Sequence, residues 1–83
     1  MVRRAFVLIS SDGDILEALE DIPEVKETYR VYGVYDIIAK VEAETMPELK
    51  EIIIQRIRPL DKIHTMLTMI CHDPGSGERG WSA

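Results

Sequence analysis

The residues best suited to chemistry lie in one short segment, Tyr32-Gly33-Val34-Tyr35-Asp36. Glycine tolerates φ > 0 and can leave neighbouring amides open to a carboxylate. The Asp36 carboxylate can accept an ammonium through a charge-assisted hydrogen bond. The two together suit a small polar ligand, and an α-amino acid in particular. The same residues also make an ordinary turn, with glycine for geometry, Asp36 bonding local amides and the tyrosines as half-buried spacers. The residue types alone leave both readings open.

Other constellations do not converge. Gly75-Ser76-Gly77-Glu78-Arg79-Gly80 is a literal GxGxxG. A dinucleotide loop needs a strand before it, a helix opening from it and an acidic residue downstream, whereas only Trp81, Ser82 and Ala83 follow. His64 and His72 on one strand would stand about 26 Å apart, since a strand rises about 3.3 Å per residue. Cys71 points to the opposite face from His72, so the three cannot chelate one ion within a subunit. Nor does His72 serve Cys71 as a base, and a buried structural thiol is the simpler reading. No catalytic residue, no metal ligand and no cofactor are expected.

Those residues must be positioned by a small scaffold. The chain has 83 residues, of which 15 are acidic and 10 basic, for a net charge of −5. One domain is expected over residues 1–72, with a Gly/Ser-rich flexible tail over 73–83. The acidic balance argues against direct nucleic-acid binding. A lone cysteine excludes an internal disulfide framework. Apolar runs such as Ile52–Ile54 are too short to span a membrane, and the start lacks a secretory pattern. The expected location is the cytoplasm, with no membrane partner.

Val2 to Ser10 alternates as a strand, with Ala5, Val7 and Ile9 on one face and Phe6 and Leu8 on the other. From Asp12 the period becomes helical through Ile15, Leu16, Ala18, Leu19 and Ile22, with Ser11 or Asp12 as the cap and Pro23 as the stop. Val25 to Tyr32 and Tyr35 to Ala43 form a hairpin with Gly33 in its short loop. Setting Val25 against Ala43, Tyr29 against Ala39 and Val31 against Ile37 keeps one face mostly apolar. A one-residue slip sets Val31 against Asp36 and mixes both faces, so the first register is preferred. Thr45-Met46-Pro47-Glu48 has capping-box spacing and opens a second helix, with Met46, Leu49, Ile53 and Ile57 on its buried stripe and Pro59 at its end. Lys62 to His72 is a last strand.

The order is β-α-β-β-α-β, the split pattern of ferredoxin-like folds. It predicts an α+β sandwich of the dimeric α+β-barrel type, a four-stranded antiparallel sheet with both helices on one face. The uncovered face must then carry Phe6 and Leu8 with Met66 and Ile70, or their opposite-parity neighbours. An apolar face of that kind is a partner site, so a homodimer at least is expected.

Ala5 to Ile9, Ile22-Pro23-Glu24-Val25-Lys26-Glu27 and Val31 to Val41, with the closing strand Ile63 to Ile70, together resemble the Lrp/AsnC effector-binding module, also called the RAM domain. The match covers about residues 2–72, and the Gly-x-x-Asp hairpin is its most specific part. The resemblance implies sheet-to-sheet dimers that assemble into a higher oligomer, with amino-acid effectors held between dimers. Carried over, it implicates Gly33, Val34, Tyr35 and Asp36, with Thr68 and Ile70 from a neighbouring subunit. Met66 stands where a threonine is common in that family's closing strand.

The first strand begins at Val2, so this looks like a stand-alone module without a DNA reader. It would act on transcription only together with a full-length Lrp/AsnC regulator. The expected function is therefore non-enzymatic amino-acid binding and oligomerisation. A small dimeric α+β-barrel enzyme and a purely structural oligomerisation subunit are the alternatives.

Overall fold

Ala5, Val7 and Ile9 recur at every second position along the first strand and are fully buried on one face of it. This strand, β1 (Arg3–Ser11), is described in a computed structural model covering residues 2–71. It is followed by α1 (Leu16–Glu20), β2 (Val25–Arg30), β3 (Ile37–Ala43), α2 (Met46–Ile52) with a π-helical turn (Ile53–Ile57), and β4 (Ile63–Ile70). The expected βαββαβ order is thus the observed one. The sheet runs β2-β3-β1-β4, antiparallel throughout.

Both helices cover the same face. Leu19 and Ile22 around α1 and Leu49, Ile53 and Ile57 along α2 pack on Ala5, Val7, Ile9, Ile37 and Val41. No polar or charged side chain is fully buried among the described residues.

The β2–β3 register is the one the hydrophobic pattern disfavoured. Thr28 faces Ala39, Tyr29 faces Ile38 and Arg30 faces Ile37. The expected pairs of Val25 with Ala43 and Tyr29 with Ala39 do not form. The reason is positional. β2 is an edge strand, and its helix-side polar residues find partners at the two ends of α1: the Thr28 hydroxyl donates to Glu20 and the Arg30 guanidinium to Asp14. An irregularity between Val25 and Glu27 returns Val25 to the core side, opposite Val41.

The first helix is also shorter than its periodicity suggested. Neither Ser11 nor Asp12 caps it. Asp14 Oδ1 accepts the Leu16 amide instead, 3.0 Å away, so the chain from Asp12 to Ile15 is spent on the connection.

The second helix begins as its spacing required. Thr45 Oγ1 accepts the Glu48 amide at 3.3 Å, and Pro47 sits in the first turn. Thr45→Ala is expected to cost about 1 kcal/mol and to lower the midpoint of a thermal melt by about 4–8 °C.

The end of this helix widens, with the Arg58 amide donating to the Ile53 carbonyl at 2.9 Å. The buried positions explain why. Leu49, Ile53 and Ile57 recur every four residues, and at about 100° per residue each step of four drifts about 40° around an α-helix. A wider turn rotates Ile57 back to the core and leaves Ile54 half exposed.

β4 resolves the parity left open by the sequence. Met66, Thr68 and Ile70 face Ile9, Val7 and Ala5 on the helix side, whereas Leu67 and Met69 stand beside Leu8 and Phe6 on the uncovered face. That face therefore carries an apolar row, Tyr29, Ile38, Leu8 and Leu67, running across all four strands. Beside it lies a polar row in which Lys40 lies 3.5 Å from Glu27 and 3.8 Å from Glu42, and Arg4 Nε donates to Glu42 at 3.0 Å. The Tyr29 hydroxyl donates to Glu27. That bond holds the Glu27 carboxyl below its usual range and pushes the Tyr29 phenol up.

Candidate functional site

The connection between β2 and β3 closes at Val31, whose amide donates to the Asp36 carbonyl at 2.8 Å. Tyr32 to Tyr35 form the tip. The tip is longer than the short loop expected, since neither Tyr32 nor Tyr35 extends its strand. Gly33 has φ +130°, a conformation that favours glycine, and an added Cβ would meet nothing within 4 Å. The requirement for glycine there is conformational rather than steric. Tyr32 and Val34 project into solvent, with Tyr32 fully exposed, while Tyr35 is half-buried.

Asp36 is tied to β1 at two points. Its amide donates to the Ile9 carbonyl at 2.8 Å, and its Oδ2 accepts the Ser11 amide at 3.0 Å. One carboxylate oxygen is thus spent on structure and fixes the group in place. The turn-forming role and the ligand role are therefore compatible in the same side chain.

A cleft of about 560 Å³ opens beside this group, lined by Ser11, Gly13, Arg30, Val31, Tyr32 and others including Asp36. Its size suits a small ligand. It brings together a carboxylate from the residue before β3, a guanidinium from the end of β2 and a tyrosine from the hairpin tip. Arg30 Nη2 donates to Asp14 Oδ2 at 2.7 Å, and both groups are more than half exposed. The Arg30 guanidinium, followed by the Leu16 amide, holds the Asp14 carboxyl below the usual range.

Of the segment Tyr32 to Asp36, Tyr32 and Asp36 line this cleft, and of the ligand-binding residues that the resemblance implicated only Asp36 does. Gly33, Val34 and Tyr35 shape or extend the adjoining tip. Thr68 and Ile70 lie elsewhere: they face Val7 and Ala5, toward the other end of β1 and across it from β3. A single chain does not bring them to the hairpin. Arg30 and Ser11 were missed. On a strand pattern Arg30 looks like a solvent-facing charge, and only the β2–β3 register places it over the start of α1.

His64 is exposed and its Nε2 lies 3.0 Å from Asp12 Oδ1, while Cys71 is half-buried with its amide on the Arg4 carbonyl. Among the described residues no three His, Cys, Asp or Glu side chains converge as a metal site. His72, the GxGxxG segment and the expected tail lie outside the described residues. A second cleft, of about 630 Å³, opens at the far end of the sheet between Glu24, Glu42, Glu48, Glu51 and Arg56. None of the candidate ligand-binding residues lines it. No helix among the described residues is long and apolar enough to cross a membrane.

Comparison with known proteins agrees with this architecture. The family model described as the Lrp/AsnC ligand binding domain matches residues 4–74. An uncharacterized HTH-type transcriptional regulator of Pyrococcus furiosus is 34% identical over 73 residues, covering 80% of this chain and 49% of its own length. The chain thus spans about half the length of the curated relatives it matches. Among solved structures, a hypothetical protein from Pyrococcus horikoshii is 40% identical with a TM-score of 0.78, covering 88% of this chain and 92% of its own. A feast or famine regulatory protein from M. tuberculosis, complexed with L-methionine, is 26% identical with a TM-score of 0.70, covering 86% and 50%.

Proposed function

Because the chain belongs to the Lrp/AsnC ligand-binding domain family, we propose that it is a non-enzymatic, cytoplasmic amino-acid-binding module whose ligand lies in the hairpin cleft. The observation that carries this reading is the Asp36 carboxylate, fixed by the Ser11 amide at the edge of a cleft of amino-acid scale. An ammonium meets there a charge that is already oriented, so little ordering entropy is spent on binding. The methionine complex of the mycobacterial relative supports the ligand class.

Two copies pack through the uncovered sheet faces, burying the row from Tyr29 to Leu67, and these dimers assemble further through the hairpin tips. Gly33, Val34 and Tyr35 then complete the site from one copy, and Thr68 and Ile70 contribute from a neighbouring one. Control of transcription follows from joint assembly with a regulator that carries a DNA-binding domain; the HTH-type relatives support that partner class. A purely structural assembly subunit is the second reading, favoured by the same apolar face. An enzyme of the α+β-barrel type would need an acid–base pair turned into the space between sheet and helices. The fully buried residues among those described are apolar.

The test is a thermal-shift screen against the twenty amino acids at several protein concentrations. A ligand at about one hundred times its Kd adds about 2.7 kcal/mol to the native state and raises the midpoint of a domain this small by more than about 10 °C. One or two hits are expected. Asp36→Asn, which keeps an oxygen for the Ser11 amide and removes only the charge, is expected to weaken the hit by about ten- to one-hundredfold. Twenty null results with a midpoint that still rises with protein concentration would favour the structural subunit.

A further inference from the structure

We propose that Arg30 is the specificity-determining residue for the ligand's α-carboxylate, and that Asp14 competes with the ligand for it. The proposal rests on the amino-acid reading of the hairpin cleft and deepens it. A free amino acid carries one charge of each sign. Asp36 supplies the cleft with a partner for the ammonium, and Arg30 is the cation among the residues that line it. A guanidinium offers five N–H donors in a planar fork that matches a carboxylate bidentately.

Arg30 is held ready rather than spent. Its contact with Asp14 runs through Nη2 at 2.7 Å, between side chains that are 63% and 60% exposed. An ion pair this open is screened by water and is cheap to exchange for another carboxylate. Asp14 does not wander when released, because its other oxygen keeps the Leu16 amide at the start of α1. It therefore acts as a fixed internal competitor. A ligand whose carboxylate is capped as an amide has nothing with which to displace it, so the pair would select free amino acids over amides and over residues inside a peptide.

Opposed variants test this. Calorimetric titrations would use the full chain, the twenty amino acids, and the α-carboxamide of whichever binds most tightly. Arg30→Gln is expected to weaken the free amino acid by tenfold or more, to leave the amide unchanged and so to bring the two affinities together. Asp14→Asn keeps the acceptor for Leu16 and is expected to tighten the free amino acid several-fold, with no gain for the amide. A merely structural role for Arg30 would weaken acid and amide alike, and that result overturns the proposal. So does any loss of affinity in Asp14→Asn. Wild-type protein that binds none of the twenty amino acids overturns the cleft reading and this proposal together, whereas wild-type binding unchanged in Arg30→Gln overturns the proposal alone.

Discussion

Ile57→Ala is expected to lower the unfolding free energy by about 3 kcal/mol and the melting midpoint by about 12–24 °C. Ile57 is fully buried at the end of the π-helical turn, in the core cluster that also holds Ala5, Val7, Ile9 and Leu49. Truncation removes three carbons from a site that rigid strands prevent from collapsing, so a cavity cost adds to the lost transfer energy. A domain of this size has a total stability of about 4–12 kcal/mol, so the loss is a large share. The neighbouring Ile54→Ala is the control. Its side chain is 52% exposed, and the same truncation should cost less than about 1 kcal/mol. Urea titration of both variants with an unchanged slope would measure the contrast. Equal losses would mean that the wide turn does not separate the two isoleucines into core and surface.

The second large effect concerns assembly. Leu67→Lys is expected to raise the dimer dissociation constant about a thousandfold, equivalent to about 4 kcal/mol. Leu67 ends the apolar row on the sheet face and stands beside Leu8 on β1, which the β3 residue Ile38 flanks on its other side. In a two-fold interface each substitution occurs twice, and both ammonium groups must leave water without a partner. Sedimentation should show a monomer at concentrations where the wild type is dimeric, with a melting midpoint that no longer rises with concentration. Leu67→Lys that sediments as the wild type does would place the interface elsewhere.

The topology was legible because the boundaries are chemical. Pro23 ends the first helix, Thr45 with Pro47 opens the second, and strict alternation in Ala5-Phe6-Val7-Leu8-Ile9 marks a two-sided strand. The β2–β3 register was not legible, because apolar matching inside the hairpin does not decide it. On an edge strand the contacts of Thr28 and Arg30 come from the end of α1 and from the connection before it, outside the hairpin. The site divides the same way. Asp36 was visible as an acid after a glycine hairpin. Arg30 acquires meaning only when the register turns it toward the start of α1, so no local spacing reveals it. Thr68 and Ile70 were suggested by resemblance, and their distance along β1 from the hairpin follows from strand order rather than from any motif.

The position of β1 in the sheet also bears on how the protein is made. β1 is central, and one of its two ladders is formed with β4, the last strand among the described residues, Ala5 facing Ile70 and Arg4 accepting from the Cys71 amide. The first strand therefore cannot complete its hydrogen bonding until nearly the whole of the described chain has been synthesised. During translation β1 can pair only with β3, leaving its other edge and the apolar Phe6 and Leu8 open. Such late, non-local closure makes folding slow and leaves the nascent chain prone to wrong strand pairing. Ribosome-bound chains that stop short of β4 should thus be the species that chaperones hold.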